Sequence, residues 1–439
     1  MTRKRYALVG TGSRARMYLK ALTETHADVG ELVALCDTNP VRLAYHSEQL
    51  QPATVATYPA ADFEKMLDEQ RPDCVIVTSI DVTHSDYICA ALDRGLDVIT
   101  EKPMTTTAER IGKIVDSVEK SSGTLTVTFN YRYSPRNSMV RKLIADGEIG
   151  TVTAVHFEWL LNTSHGADYF RRWHREKKNS GGLLVHKSTH HFDLANWWLG
   201  RSPESVYARG GLRYYGDENA AARGLEPRPA LSRDTDPATD PFHFDLAANE
   251  TNRRLYLEAE QADGYHRDQD VFAPGITIED NLSLLVGYAG GANLSYNLTA
   301  HAPWEGYRVG FTGTAGRLEI EVVESSWVRP ATTNVDPTAN DDGEHADVRP
   351  KGARILLQKH WQQATEVEVQ TSSGGHGGGD VILLDDLFRE PREDALGRKA
   401  GYLDGIRSVL VGVAGNQSLE TGLPVRLADH GFPLEEGPA

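Results

Sequence analysis

The turn "GTGSRA" at residues 10–15 is the feature that most constrains how this chain folds. It directly follows the apolar run "RYALV", and it precedes the helical pattern "ARMYLKALTET" and a second apolar run, "ELVALCD". A glycine motif in this order predicts a dinucleotide-binding βαβ unit. Gly10 permits the tight turn, Gly12 lets the backbone approach a pyrophosphate, and Ala15 allows close packing of helix on strand. The candidate cofactor contacts are the residues of the turn: Gly10, Thr11, Gly12, Ser13, Arg14 and Ala15.

An acidic residue ends the second predicted strand. Asp37 lies 22 residues after Ala15, where a carboxylate hydrogen-bonds the 2′-hydroxyl of the adenosine ribose. The same negative charge repels a 2′-phosphate. We therefore predict NAD as the cofactor, in preference to NADP.

Alternating strand and helix patterns continue after Asp37. The runs "DCVIVTS", "LDVITEKP" and "TLTVTFNYRY" predict strands, with helical patterns between them. Repeated units of this kind form a doubly wound parallel sheet, whose ligands bind at the carboxyl ends of the strands. Candidate residues at or beside these ends are Ser79, His84, Glu101, Lys102 and Asn130.

Length and pattern predict a second, different domain. The chain has 439 residues, more than one hydrophobic core usually serves. In the second half of the chain, "NLSLLVGYAGGANLSYNLTA" alternates as a hairpin does, which is consistent with a large antiparallel sheet. We predict a Rossmann domain over 1–135 and a substrate domain with a large antiparallel sheet over 136–439. Polar stretches near 214–245 and 330–352 are predicted surface insertions.

Charge and composition limit the classes of molecule that this protein is expected to bind. The formal net charge is −16, which disfavours nucleic acid and anionic membranes as partners. No apolar run is long enough to span a bilayer, and the sequence starts without a signal-peptide pattern. Three cysteines without a disulfide or metal spacing are typical of a cytoplasmic protein. An open sheet also predicts a homo-oligomer, a dimer or tetramer.

The stretch "HKSTHHFD" at 186–193 concentrates ionisable side chains within one predicted helix, where His186, His190 and Asp193 share a face. One hypothesis is a metal site on His186 and His190, although no third ligand is evident by spacing. Another is that these are buried structural histidines. The hypothesis we favour is proton handling, because oxidising an alcohol requires a base for the O–H proton.

Taken together, the glycine turn, Asp37, the "EKP" at 101–103 and the glycine pair before the histidine helix resemble the Gfo/Idh/MocA oxidoreductases. That resemblance implies a Rossmann domain followed by an α/β domain with an open, mostly antiparallel sheet. It also implies that Lys102 and His190 flank the nicotinamide and the reacting carbinol, with Lys102 hydrogen-bonding the developing alkoxide.

One position departs from the family. An aspartate commonly stands four residues before the catalytic histidine, whereas this chain has His186. The stretch "SSGGHGGGDVILLDDLF" (372–388) also resembles an HGG-x-D segment of NAD-dependent glycoside hydrolases on the same fold. Those enzymes oxidise C3 transiently, eliminate the anomeric substituent and return the hydride. Candidates for the extra acid and base are His191, Tyr307 and His376.

The sequence thus predicts an NAD-dependent oxidoreductase that acts on a carbohydrate or polyol. Trp173 suits stacking on a sugar face. The predicted substrate-binding residues are Lys102, Trp173, His186, His190, Tyr307 and His376. The alternatives are the NAD-dependent glycosidase and a non-catalytic nucleotide-binding sensor, which would keep its function without Lys102 or His190.

Overall fold

A computed structural model describes residues 3–51, 54–328, 348–369, 378–389 and 393–434. The first third alternates short strands and helices, as predicted. The strands are β1 (Lys4–Val9), β2 (Gly30–Asp37), β3 (Ala56–Pro59), β4 (Cys74–Val77), β5 (Asp97–Thr100) and β6 (Leu125–Val127). The helices are α1 (Ala15–Lys20), α2 (Pro40–Gln49), α3 (Phe63–Gln70), α4 (His84–Leu92), α5 (Ala108–Lys120) and α6 (Pro135–Ala145).

The rest of the chain is dominated by longer strands. They are β7 (Val152–Asn162), β8 (Pro203–Gly211), β9 (Asn281–Tyr288), β10 (Asn293–Ala302), β11 (Glu305–Gly313), β12 (Gly316–Ser325), β13 (Gly352–Lys359), β14 (Thr365–Val367), β15 (Ala400–Gly401) and β16 (Val425–Arg426). The helices are α7 (Thr163–Arg171), α8 (Lys177–Ser180), α9 (Leu183–His186), α10 (Ser188–Leu199), α11 (Asp217–Ala222), α12 (Glu250–Asn252), α13 (Glu260–Asp263), α14 (Gly379–Phe388) and α15 (Tyr402–Thr421).

The first sheet has the strand order of a nucleotide-binding fold. In the described part of the chain it contains seven strands, ordered β15-β6-β5-β4-β1-β2-β3. All neighbouring pairs are parallel except β15 with β6. The order 3-2-1-4-5-6 is that of a doubly wound Rossmann sheet, with its ligand crevice between β1 and β4. The predicted fold of this part is confirmed.

The second sheet is large and mostly antiparallel, as predicted. Over the residues described, it has nine strands in the order β14-β13-β12-β11-β7-β10-β9-β8-β16. The pair β7 and β10 is the parallel exception. Helices α10 and α15 pack together against this sheet, and their apolar side chains join those of β7, β10 and β11 in one core. This layer holds the histidine stretch in a fixed place.

The predicted histidine helix is interrupted. The structure has α9 and α10 in place of one helix, with a turn at Lys187 between them. The chain enters α9 through Gly181 and Gly182, both at positive φ. The interruption changes which side chains share a face, so the predicted grouping of His186, His190 and Asp193 is wrong for Asp193. That carboxylate instead accepts two hydrogen bonds from the buried Arg132.

The predicted surface insertion near 214–245 is more than a surface loop. Its Tyr215 and Phe244 are fully buried, and Arg228 forms an ion pair with buried Asp270. The chain continues into residues 246–265, which we call the excursion, containing α12, α13 and a π-helical turn at Arg253–Leu257. Most of the second predicted insertion, residues 330–347, lies outside the described residues.

Candidate active site

One cavity of about 1170 Å³ joins the carboxyl ends of the first sheet to the helices of the second domain. The glycine turn and Asp37 line one end, and a cluster of histidines, arginines and Lys102 lines the other. The volume is above the range of about 300–1,000 Å³ that is usual for the pocket of one small ligand. A single cavity therefore offers space for a dinucleotide and for a second, smaller ligand.

The glycine turn provides a backbone cradle. Gly10 has φ +91°, and a Cβ there would lie 2.4 Å from the Cα of Ser79. Its N–H donates to the carbonyl of Cys36 at 2.8 Å, which ties β1 to β2. A side chain at Gly10 would collide with the backbone of Thr78 and Ser79, so glycine lets the turn pack against the end of β4. The turn held in this way lines the cavity where a pyrophosphate is expected.

Asp37 is more heavily hydrogen-bonded than the sequence indicates. One of its oxygens accepts from the N–H and the hydroxyl of Thr11, at 2.6 and 2.9 Å. The other accepts from the N–H of Asn39 at 2.8 Å and from Nε of Arg42 at 3.3 Å. The carboxylate thus fixes the glycine turn, and it also lines the cavity where a ribose is expected.

A partly buried ion pair lies at the "EKP" strand end. Glu101 accepts from Nε of Arg14 at 2.5 Å and from the hydroxyl of Tyr18 at 2.7 Å. Burial raises the pKa of Glu101, but Arg14 and these hydrogen bonds outweigh it, so the net pKa lies below its usual value. Burial lowers the pKa of Lys102 to about 8, against the opposing effect of Asp81 and Glu101. Lys102 therefore changes charge close to the physiological pH range.

Asp81 contributes a carboxylate that the sequence analysis did not select. It lies in the loop after β4, is 3% exposed, and contacts Nδ1 of His186 through Oδ2 at 2.6 Å. Burial raises the pKa of Asp81 well above its usual range. Burial and then Lys102 lower the pKa of His186 well below its usual value. One hydrogen bond between the Asp81 carboxyl and the His186 imidazole therefore joins the two domains, and its proton is bound by one group or the other.

His190 and His191 have different surroundings. The His190 ring lies edge-on to Tyr131, with centroids 4.7 Å apart, and it lines the cavity. The His191 ring stacks on Trp159 at 3.9 Å, and its Nδ1 contacts the hydroxyl of Tyr296 at 2.6 Å. His191 is fully buried and is not part of the cavity wall. Successive residues of a helix point about 100° apart, so only one of these neighbours in α10 reaches the site.

The substrate end carries further charged and aromatic groups. Asp168 forms ion pairs with Arg172 and Arg267, both at 2.7 Å. The Trp173 ring stacks on His174 with centroids 3.6 Å apart, and both line the cavity. Their positions along the chain are far from the glycine turn, so only the fold brings them to it.

The structure brings most predicted residues to the cavity and leaves some away from it. The predicted residues in the cavity wall are Gly10, Gly12, Ser13, Arg14, Asp37, Ser79, His84, Glu101, Lys102, Asn130, Trp173, His186 and His190. Thr11 and Ala15 are fully buried behind the wall. Tyr307 was wrongly expected at the substrate: its ring stacks on Trp159 and its hydroxyl donates to Asn137 inside the core. His376 lies outside the described residues.

Sequence reasoning missed several groups in the wall. These are Asp81, His165, Asp168, Tyr169, Arg172, His174, Lys187, Tyr256 and Glu324. Tyr265 and Arg267 also reach the wall. A local signal existed for Asp81 alone, because it follows a strand end in a doubly wound sheet.

Two further properties concern the described part of the chain. None of its helices combines the length and the apolar composition that a membrane crossing requires. Nor do its His, Cys, Asp and Glu side chains form a group of three or more arranged to hold a metal ion.

Both halves of the chain match models of one protein family. Residues 4–129 match the NAD-binding Rossmann fold of the oxidoreductase family GFO_IDH_MocA, and residues 141–427 match its C-terminal α/β domain. The chain belongs to the Gfo/Idh/MocA family of oxidoreductases, and its N-terminal part is an NAD-binding Rossmann fold. The predicted family and cofactor are confirmed.

Relatives and solved structures give this membership context. The chain is 36% identical to the "Putative oxidoreductase YteT" of Bacillus subtilis (strain 168), over 97% of this chain and 98% of that protein. It is 32% identical to an inositol 2-dehydrogenase of Rhizobium meliloti (strain 1021), over 46% of this chain and 57% of that protein.

Among solved structures, an aldose-aldose oxidoreductase from Caulobacter crescentus has a TM-score of 0.61 at 18% identity, covering 97% of this chain and all of that one. The WlbA dehydrogenase from Bordetella pertussis, in complex with NADH and UDP-GlcNAcA, has a TM-score of 0.61 at 18% identity, covering 99% and 100%. At these identities the likeness shows the fold alone.

Proposed function

We propose that this protein is an NAD-dependent dehydrogenase that oxidises a hydroxyl group of a carbohydrate or polyol. The observation that carries the proposal is the convergence of Lys102, His186 and His190 on the cavity that also contains the glycine turn. The similarity to an inositol 2-dehydrogenase supports a polyhydroxylated substrate. NAD supplies the hydride acceptor for such a reaction.

The side chains divide the proton chemistry between them. His190 takes the proton of the reacting hydroxyl as a general base. Lys102, as an ammonium, donates a hydrogen bond to the same oxygen and stabilises the negative charge that develops on it. Burial strengthens this interaction, because the effective dielectric constant of the site is lower than that of water.

His186 and Asp81 replace the usual carboxylate of the family. In this proposal the imidazole of His186 binds a hydroxyl next to the reacting carbon, and Asp81 fixes the orientation of its ring. Trp173 presents an aromatic face for stacking on the sugar ring. A substrate held at two adjacent hydroxyls would present one carbon for oxidation, which is what a dehydrogenase requires.

The test combines two readouts in one reaction. Purified protein is incubated with NAD and a panel of free sugars, inositols and chromogenic glycosides, and NADH absorbance is followed together with aglycone release. Stoichiometric NADH from a free sugar or polyol is the expected result. The absence of turnover on the whole panel, with Lys102→Ala and His190→Ala indistinguishable from wild type in ligand binding, would contradict the proposal and favour the sensor.

One observation keeps a second candidate, the NAD-dependent glycosidase. Elimination of an anomeric substituent needs a base and an acid besides the hydride-step base, and the Asp81–His186 pair is a second proton-binding unit in the cavity. Aglycone release without net NADH, lost when the dinucleotide is removed, would establish this activity. The same assay therefore separates the two enzymes.

Cofactor preference and assembly are further parts of the proposal. Asp37 favours NAD over NADP, and titration with both dinucleotides tests it. Homo-oligomerisation through the open sheet stays a prediction, which sedimentation velocity would test.

A further inference from the structure

The excursion (residues 246–265) belongs to the second domain in sequence but lies against the cofactor end of the first. The hydroxyl of Tyr256 accepts a hydrogen bond from the N–H of Ser13, inside the glycine turn, at 3.0 Å. The carbonyl of Ala259 accepts from Nδ2 of Asn39 at 2.9 Å. These contacts place the excursion directly on the turn and on the start of α2.

Two ion pairs strengthen this contact. Asp263 accepts from Nη2 of Arg42 at 2.6 Å, and Arg254 pairs with Glu48 of α2 at 2.5 Å. The Arg254 guanidinium also lies 4.9 Å from the ring centroid of Tyr45. Asn249, Thr251, Asn252 and Tyr256 line the cavity on this side.

We propose that the excursion is a clasp that completes the dinucleotide site and slows dissociation of the bound cofactor. Its binding group is the Tyr256 hydroxyl, which accepts from the Ser13 N–H of the turn and can donate its own proton to a pyrophosphate oxygen. Its anchors are the bridges to Arg42 and Glu48. The cofactor can leave only when these cross-domain contacts open.

The electrostatics of Arg42 agree with this arrangement. Its guanidinium lies between Asp37 and Asp263, at 3.3 and 2.6 Å. Although burial lowers its pKa, the two carboxylates hold it above the usual value. A cation bonded to two carboxylates offers little attraction to a 2′-phosphate. The clasp would therefore also oppose NADP.

The experiment compares two double variants that each remove one arginine and one acid from the excursion. Arg254→Ala with Asp263→Ala cuts the two bridges to α2. Arg253→Ala with Glu258→Ala is the matched control, because the salt bridge between these two side chains lies within the excursion. NADH is bound to each protein and displaced by excess NAD in a stopped-flow instrument, and the fall of its fluorescence gives the dissociation rate.

We expect the bridge variant to release NADH at least about tenfold faster than wild type, equivalent to about 1.4 kcal/mol. We expect the control to stay within about twofold, since its contacts do not cross the boundary. Equal rates for the two variants would overturn the clasp. This outcome is independent of the sugar substrate, so it leaves the proposed dehydrogenase activity to its own test.

Tyr256→Phe guards against a folding artefact, because it removes a single oxygen atom. The clasp predicts faster NADH release for this variant with an unchanged melting temperature of the cofactor-free protein. A dissociation rate equal to that of wild type would mean that the Tyr256 hydroxyl does not bind the cofactor. Thermal unfolding of all variants is measured alongside to confirm that each is folded.

Discussion

The charge of Lys102 gives the site a specific dependence on pH. Burial lowers its pKa to about 8, so the ammonium that would stabilise an alkoxide is lost as the pH rises through that value. We expect kcat/KM for sugar oxidation to fall above pH 8 by about tenfold per pH unit. Arginine keeps its proton over this range.

The check is the pH profile of kcat/KM for wild type and Lys102→Arg. The variant should have lower activity but no decline between pH 8 and 10. An alkaline decline of the same midpoint in both proteins would assign it to another group.

We expect substitution of Asp81 to change activity and stability in different directions. The pKa of Asp81 is raised in the folded chain, so folded protein binds that proton more tightly than unfolded protein does. A carboxyl with a raised pKa lowers the free energy of unfolding progressively as the pH rises above its usual value of about 4. Asp81→Asn removes the titratable carboxyl and leaves the shape of the side chain nearly unchanged.

We therefore expect Asp81→Asn to keep or increase the free energy of unfolding at pH 8, measured with urea. We expect kcat/KM to fall by roughly tenfold to a hundredfold, because the hydrogen bond that orients His186 is weakened. His186→Asp tests the other member of this hydrogen-bonded pair. Loss of stability without loss of activity in Asp81→Asn would show that the pair is structural.

At the scale of elements, packing of α15 on α9 holds His186 in place. A Cβ at Gly412 of α15 would lie 2.5 Å from the backbone carbonyl oxygen of Leu184. A Cβ at Gly415, one turn further, would meet the end of the Leu184 side chain at 2.9 Å, which can rotate away. The two glycines are thus a matched pair within one helix.

We expect Gly412→Ala to lower the free energy of unfolding by roughly 1–3 kcal/mol, because backbone must move. Gly415→Ala should be neutral or stabilising, since alanine favours the helix by about 1 kcal/mol. Urea unfolding measures both. Equal effects of the two substitutions would mean that α9 moves away from the new Cβ at little cost in the free energy of unfolding.

The elements that the sequence predicted are those with local signals. The glycine turn and the strand ends at Ser79 and Lys102 depend on residues a few positions apart, and they are found where expected. The Asp81–His186 pair joins residues 105 positions apart, and no periodicity reports such a contact. Tyr307 was misplaced because alternation in a strand tells which residues share a face, not which face covers the cavity.

The whole molecule should respond to the cofactor as one unit. The cavity draws its wall from both sheets, and the excursion adds bonds from the second domain to the first. A ligand that binds only folded protein stabilises it by about 2.7 kcal/mol at a hundred times its Kd. We expect calorimetry to show one unfolding transition, shifted upward as a whole by NAD. Two transitions, of which NAD moves only one, would contradict this coupling.

The bond between Arg42 and Asp263 also limits how freely the halves of this chain can be exchanged. A chimera whose Rossmann half has other residues in place of Arg42 and Asn39 would keep Asp263 and Ala259 without the partners to which they hydrogen-bond. Exchange of whole domains would then not transfer the cofactor-binding properties of the donor protein. If the excursion acts as the proposed clasp, coenzyme preference depends on residues of both domains, and re-engineering it requires changes on both sides of the contact between them.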